Sequence, residues 1–177
     1  MIALPVDPKS VNGTTPSLLR RMACWLYEGA LLFGVLVTAG LAYFIVAYWI
    51  SGLGPGDIGQ HPMLRSGFQA ICFLSLALYF IHFWRSGQTL AMKTWHIRVV
   101  DEAGQPLSQK PALTRYMASW LWFLPPLLVT LPMGLPAREV GLLTLGWVVI
   151  WALMSRFHPQ RQFLHDALAS TRLITQH

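Results

Sequence analysis

Charge is the scarcest property of this sequence. Asp, Glu, Lys and Arg make up only 11% of its 177 residues, whereas 54% of the residues are hydrophobic and the mean hydropathy is +0.47. Soluble domains carry about 25% charged residues, so this composition excludes an ordinary soluble protein. The apolar residues also form blocks long enough to cross a bilayer, which takes about 20 residues. The sequence therefore predicts an integral membrane protein.

Cysteine and catalytic motifs are scarce as well. The two cysteines, Cys24 and Cys72, lie in apolar blocks without metal or redox spacing, so we expect them to be packing residues. The HExxH, CxxC, phosphate-loop and GxSxG patterns are all missing. The sequence thus gives no positive evidence for an enzyme, and we predict neither a cofactor nor a metal ion. Membrane topology explains the net charge of +6 better than nucleic-acid binding does.

Four apolar blocks predict an all-α membrane protein with four transmembrane helices. They cover residues 22–50, 67–84, 116–135 and 139–154. The fourth block is short and the third contains Pro125 and Pro126, so these two blocks could instead form a re-entrant hairpin. Residues 1–19 are polar and predict a flexible N-terminal tail with no cleavable signal peptide, which leaves residues 20–177 as the transmembrane domain.

The basic residues predict the orientation of these helices. Arg65 and Arg138 fall on one side of the predicted topology, and the other eleven of the 13 basic residues fall on the opposite side. Positive charge favours the cytoplasmic side. Both termini and the central loop, residues 86–114, are therefore predicted to be cytoplasmic in a bacterial inner membrane.

Short extended segments are predicted outside the membrane. In "TWHIRVV" the apolar side chains of Trp95, Ile97 and Val99 alternate with polar ones, which is typical of a half-buried strand. Turn-forming residues follow, and a return strand beginning at Leu107 would make a small cytoplasmic β-hairpin. The C-terminal "TRLIT", Thr171–Thr175, is also strand-like and could pair with the first strand. Between it and the last apolar block, "RQFLHDALAS" has the spacing of a short amphipathic helix.

Glu28 is the polar residue that most needs an explanation, because it lies two helical turns inside the first apolar block. An ionised acid at that depth costs a few kcal/mol unless something satisfies it. The other acid among apolar neighbours is Asp166, on the side of the membrane where the first helix begins. We therefore predict a polar cluster of Arg20, Arg21, Glu28, His165 and Asp166. Two interpretations are open: a network that docks the C-terminal segment on the first helix, and a site for a cation or proton.

Three separated segments resemble the RDD family of small bacterial membrane proteins, which is named for an arginine and two aspartates. They are "RRMACWLYEGALL", "SGQTLAMKTWHIRVVDEAGQPLSQKPALTRY" and "RQFLHDALASTRLI". In the central loop the matching residues are Gly87, Thr89, Lys93, Val99, Val100, Asp101, Gly104, Leu107, Ser108 and Arg115. The resemblance places the signature arginine at Arg20 or Arg21, more closely at Arg21, and the second aspartate at Asp166. Glu28 stands where the family carries the first aspartate.

The resemblance implies a membrane function, since some family members behave like cation/proton antiporters and others serve as accessory proteins. Our leading hypothesis is a transporter, or a component that supports one, that acts on protons and on Na⁺ or another monovalent cation. Four helices enclose little space, so we expect a homo-oligomer. The alternative hypothesis is a non-transporting scaffold that binds a membrane partner through its cytoplasmic loop.

Overall fold

The computed structural model describes residues 13–157, 159 and 161–176. Much of the predicted tail, residues 1–12, lies outside the described residues. The helix α1, Leu18–Ser51, begins where the Ser17 side chain accepts a hydrogen bond from the Arg20 amide at 3.3 Å. It ends at Gly52, whose φ of 65° is a left-handed conformation that glycine adopts without strain.

Among the described residues, three helices are long and apolar enough to cross a membrane: α1, α3 (Pro62–Arg85) and α7 (Ala137–Met154). A short helix, α2 (Pro55–Ile58), lies between the first two. In the most apolar stretch of each long helix, only 6–11% of the residues are buried inside the protein. Large apolar side chains such as Phe33, Leu78 and Leu142 are instead exposed. Exposing such apolar surface to water has a free-energy cost of about 25 cal/mol per Å². Lipid or a partner must therefore cover these side chains.

The third apolar block is not one continuous helix. It begins within α5 (Gln109–Ser119), continues through a 3₁₀ turn (Trp120–Trp122) and then enters α6 (Leu124–Thr130). Pro125 and Pro126 lie in the first turn of α6, where a missing backbone N–H costs no helical hydrogen bond. The break thus falls just before the prolines, at Phe123. The count of four crossings stays a prediction, because the broken third block is not among the three candidate spans.

A two-stranded antiparallel sheet lies at the end of the helix bundle where α1 begins. Its strands are β1 (Ile97–Asp101) and β2 (Thr171–Thr175), and Val99 pairs with Leu173. The pairing of the loop strand with the C-terminal strand is therefore confirmed. The return strand within the loop is wrong: Leu107 is buried in the core, but the chain around it is not a strand. A turn follows β1 instead, and the Asp101 carboxylate accepts the Gln105 amide across it at 2.7 Å.

The hydrophobic core is packed around this sheet. Two short helices flank the strands, α4 (Leu90–Thr94) before β1 and α8 (Leu164–Leu168) before β2. The helix predicted in "RQFLHDALAS" is thus present over five residues. Ala91, Ala112 and Tyr116 are almost fully buried and belong to the same hydrophobic cluster as Val99 and Leu173. The C-terminal segment is therefore held against both the central loop and the beginning of α1.

Gly87, which precedes α4, shows why this loop needs glycine at one position. Its φ is 89°, and a Cβ there would lie 2.9 Å from Arg98 Nε. The Gly87 carbonyl also accepts the Val99 amide at 2.9 Å, so the backbone cannot shift without disturbing β1. The chain leaving α3 is thereby positioned so that the next residues reach the first helix.

Candidate functional site

Glu28 is held by two hydroxyl groups on two other helices. The Tyr79 hydroxyl of α3 donates to Glu28 Oε1 at 2.6 Å, and the Thr89 hydroxyl donates to Oε2. Thr89 is also the N-cap of α4, since its hydroxyl accepts the Met92 amide at 3.1 Å. Within the described part of the chain, Glu28 forms no ion pair with a lysine, arginine or histidine. This buried carboxylate thus joins α1, α3 and α4, with no cationic partner in the part of the chain that the structure describes.

Asp166 has a different environment, because it is paired with an arginine. Its Oδ1 atom lies 2.8 Å from Arg115 Nη2 and 3.2 Å from His165 Nε2, and Asp166 is fully buried. Burial by itself would raise the pKa of the Asp166 carboxyl, but Arg115, helped by His165 and Arg21, holds that pKa below its ordinary value. Asp166 is therefore a carboxylate that stays ionised, and it joins α8 to α5.

A tryptophan fixes the orientation of His165. Trp122 Nε1 donates to His165 Nδ1 at 2.9 Å. An indole nitrogen can only donate, so Nδ1 carries the lone pair and the ring proton is on Nε2. His165 Nε2 lies 3.2 Å from Asp166 Oδ1. His165 thus lies between Trp122 and Asp166.

The two predicted arginines of α1 lie in different places. Arg20 Nε donates to the Trp95 carbonyl at 2.6 Å, and its Nη2 donates to the His96 carbonyl at 3.4 Å, so Arg20 caps the end of α4. Arg21 is buried, with its guanidinium 4.3 Å from the centre of the Phe163 ring. The positive charge of Arg21 helps to lower the pKa of Asp166, but the direct contact with Asp166 is made by Arg115.

A cavity of about 390 Å³ connects the two carboxylate environments. Arg21, Glu28, Arg115 and His165 all line it, and most of the remaining lining side chains are apolar. The structure therefore brings Asp166, His165 and Arg21 close together and places Glu28 along the same cavity in separate contacts. Arg20 lies outside this set. Among the described residues no group of three His, Cys, Asp or Glu side chains could hold a metal ion.

Several residues of the site were missed from the sequence. Arg115 looked like one more charge flanking an apolar block, and Thr89 like part of a loop. Both belong to the central-loop pattern of the family resemblance, and that pattern was the signal that could have identified them. Tyr79 and Trp122 carried no such signal, since aromatic residues are frequent throughout these apolar blocks.

Replacing Tyr79 with phenylalanine tests the Glu28 contacts. The variant removes one of the two donors to a buried carboxylate, so we expect the free energy of unfolding to fall by about 1–3 kcal/mol. Thermal unfolding in detergent measures this effect. The control is Tyr27→Phe, since Tyr27 is exposed on the same helix as Glu28. Equal stability of the two variants would show that the Tyr79 hydroxyl contributes nothing.

The family model of the RDD family matches residues 15–170, a range that includes Glu28, Thr89, Arg115 and Asp166. Comparisons with curated proteins and with solved structures gave no match. The matched range also contains the three apolar helices described above. On this evidence the chain is a membrane protein and belongs to the RDD family.

Proposed function

We propose that this protein supports the exchange of protons with a monovalent cation such as Na⁺ across a bacterial inner membrane, with Glu28 as the exchanging carboxylate. The observation that carries the proposal is the lack of an ion-pair partner for Glu28 among the described residues. A carboxylate in a membrane helix is costly when its charge is not balanced. A proton or a monovalent cation from solution would balance it.

The two hydroxyls beside Glu28 fit either occupant. Each hydroxyl has one proton to donate and two lone pairs. The Tyr79 and Thr89 hydroxyls can therefore donate to the ionised carboxylate or turn and offer oxygen atoms to a bound cation. Glu28 also lines the cavity, whereas the fully buried Asp166 does not.

The proposed assembly follows from the surface of the helices and from the distribution of basic residues. We propose four crossings with both termini in the cytoplasm, because eleven of the thirteen basic residues fall on one side of that arrangement. The exposed apolar faces of α1, α3 and α7 leave room for contacts between copies. A homo-oligomer would enclose a pathway that one bundle of this size does not.

A second function is favoured by the way in which the sheet is attached. Arg20 fixes α4 to α1, and the Arg115–Asp166 pair fixes α8 to α5. These contacts would make the central loop and the C-terminal strand a firm platform for a membrane partner, as in the scaffold hypothesis. On that account Glu28 is one more docking contact and moves no ion.

Reconstitution separates the two functions. The purified protein is placed in vesicles with a pH-sensitive dye in the lumen, and Na⁺, K⁺ or Li⁺ is added outside. We expect a change of lumenal pH with at least one of these cations, and none in protein-free vesicles or with choline. If no cation moves protons, exchange is excluded and the scaffold function is favoured.

A further inference from the structure

Two buried guanidinium groups at one end of the cavity have unused hydrogen-bond donors. Arg21 is 5% exposed and Arg115 is 3% exposed. In each of them the Nε and Nη1 atoms have no hydrogen-bond partner in the described part of the chain. A buried donor without an acceptor destabilises the folded protein. Both residues line the cavity, so an acceptor placed there would be within their reach.

The charges at this end of the cavity do not cancel. Arg21 and Arg115 contribute two positive charges, and Asp166 contributes one negative charge. His165 is neutral, because its Nδ1 atom accepts the Trp122 N–H. Glu28 contacts Tyr79 and Thr89 rather than either arginine. The arginine end of the cavity, apart from Glu28, therefore carries one positive charge without a direct ion-pair partner, and a monoanion would balance it.

The cavity has the size and lining of a lipid-binding site. Its volume of about 390 Å³ lies within the range of ligand sites, about 300–1,000 Å³. It runs from Arg21, in the first turn of α1, to Leu32. Eleven residues of helix span roughly 16 Å, which is a depth suited to part of an acyl chain. Trp25 and Leu26 line the cavity and are also exposed, so it opens on the apolar surface of the bundle.

From these observations we infer that the cavity binds one monoanionic phospholipid. Its phosphodiester accepts hydrogen bonds from Arg21 and Arg115, whose planar forks suit phosphate oxygens. One acyl chain lies along the apolar lining towards Leu32, and the other lies outside against Trp25 and Leu26. The site goes beyond the proposed function, because Glu28 takes no part in holding the lipid.

Native mass spectrometry of the full-length protein tests this inference. The detergent-purified protein is mixed with phosphatidylglycerol or with phosphatidylcholine of the same acyl chains. We expect one phosphatidylglycerol to be retained per protein chain, and phosphatidylcholine to be retained much less. Arg21→Gln should weaken the retention of phosphatidylglycerol about tenfold through the loss of charged hydrogen bonds. Arg138→Gln, which changes an exposed arginine of α7, should leave retention unchanged.

A second pair of variants tests the cavity itself. A Cβ added at Gly29 would meet no atom within 4 Å, and Gly29 lines the cavity. Gly29→Leu should therefore fold, fill the space for the acyl chain and abolish retention. A Cβ added at Gly34 would also meet no atom within 4 Å, but Gly34 does not line the cavity. Gly34→Leu is therefore the matched control and should retain the lipid.

Three results would overturn the inference. They are equal retention of the two phospholipids, retention that neither Arg21→Gln nor Gly29→Leu reduces, and preferential binding of oleate, which would identify a fatty acid as the ligand. Glu28→Gln should keep the phosphatidylglycerol. The lipid-binding result therefore does not depend on whether Glu28 exchanges ions.

Discussion

Replacing Asp166 with asparagine is expected to lower the free energy of unfolding by about 3–5 kcal/mol, because the buried Arg115 guanidinium loses its ion-pair partner. Asp166 is fully buried and Arg115 is nearly so, and the two side chains lie 2.8 Å apart. Asparagine keeps the shape but not the charge. Thermal or denaturant unfolding in detergent measures the loss, and Asp57→Asn, the same change at an exposed position, should have almost no effect.

The same pair predicts a dependence on pH. The pKa of Asp166 is lower in the folded protein than its ordinary value, which is about 3.9 in an unfolded chain. The ionised carboxylate therefore stabilises the fold above about pH 4, and this contribution is lost as the pH falls through the folded-state pKa. The difference in stability between wild type and Asp166→Asn should be full at pH 7 and should shrink in acid. A constant difference down to the lowest pH would contradict the ion-pair account.

A double variant distinguishes loss of the pair from loss of packing. Removing both charges in Arg115→Met with Asp166→Leu leaves neither member of this ion pair buried without the other. Such replacements are often neutral or stabilising, so we expect the double variant to be more stable than Asp166→Asn. If it is less stable, the shape of the site matters more than its charge.

Glu28→Gln is expected to abolish cation-dependent proton movement and to leave the fold intact. Glutamine has the same length as glutamate, so its amide oxygen can accept the Tyr79 hydroxyl and its amide nitrogen can donate to the Thr89 oxygen. The variant thus removes the exchangeable charge but keeps the contacts between helices. Proton flux should fall to the level of protein-free vesicles, while the unfolding temperature changes little.

Glu28→Asp is the companion variant, because the family resemblance places aspartate at this position. The carboxylate is retained, but it is one methylene shorter and cannot keep both hydroxyl contacts at their present lengths. We expect proton movement to be reduced rather than lost. Proton movement as low as that of Glu28→Gln would mean that the length of the side chain, and not its charge alone, limits exchange.

Features that depend on local pattern were predicted well from the sequence. Hydropathy located α1, α3 and α7, and alternation located β1. The pairing of β1 with Thr171–Thr175 also followed, because two short extended segments were predicted on the same side of the membrane. Leu107 was misplaced, since a buried apolar residue after a turn has the same local pattern whether it begins a strand or packs in a loop.

The partners of the carboxylates could not be predicted in the same way. Charge rules indicated that Glu28 and Asp166 needed partners, but not which ones, because the choice depends on how helices distant in sequence pack. Arg115 is 51 residues before Asp166, and Tyr79 is 51 residues after Glu28. No period or spacing within one helix reports on such contacts. Instead of one cluster, the structure has two sets of contacts along one cavity, one around Glu28 and one around Asp166.

The most direct test of Glu28 as the exchanging carboxylate is proton flux measured in parallel for wild type and Glu28→Gln. Both proteins are reconstituted at equal density in the same lipid, under the cation gradient to which wild type responds. We predict flux for wild type and only the protein-free background for Glu28→Gln, with equal unfolding temperatures. Wild-type flux in a folded Glu28→Gln protein would contradict the account.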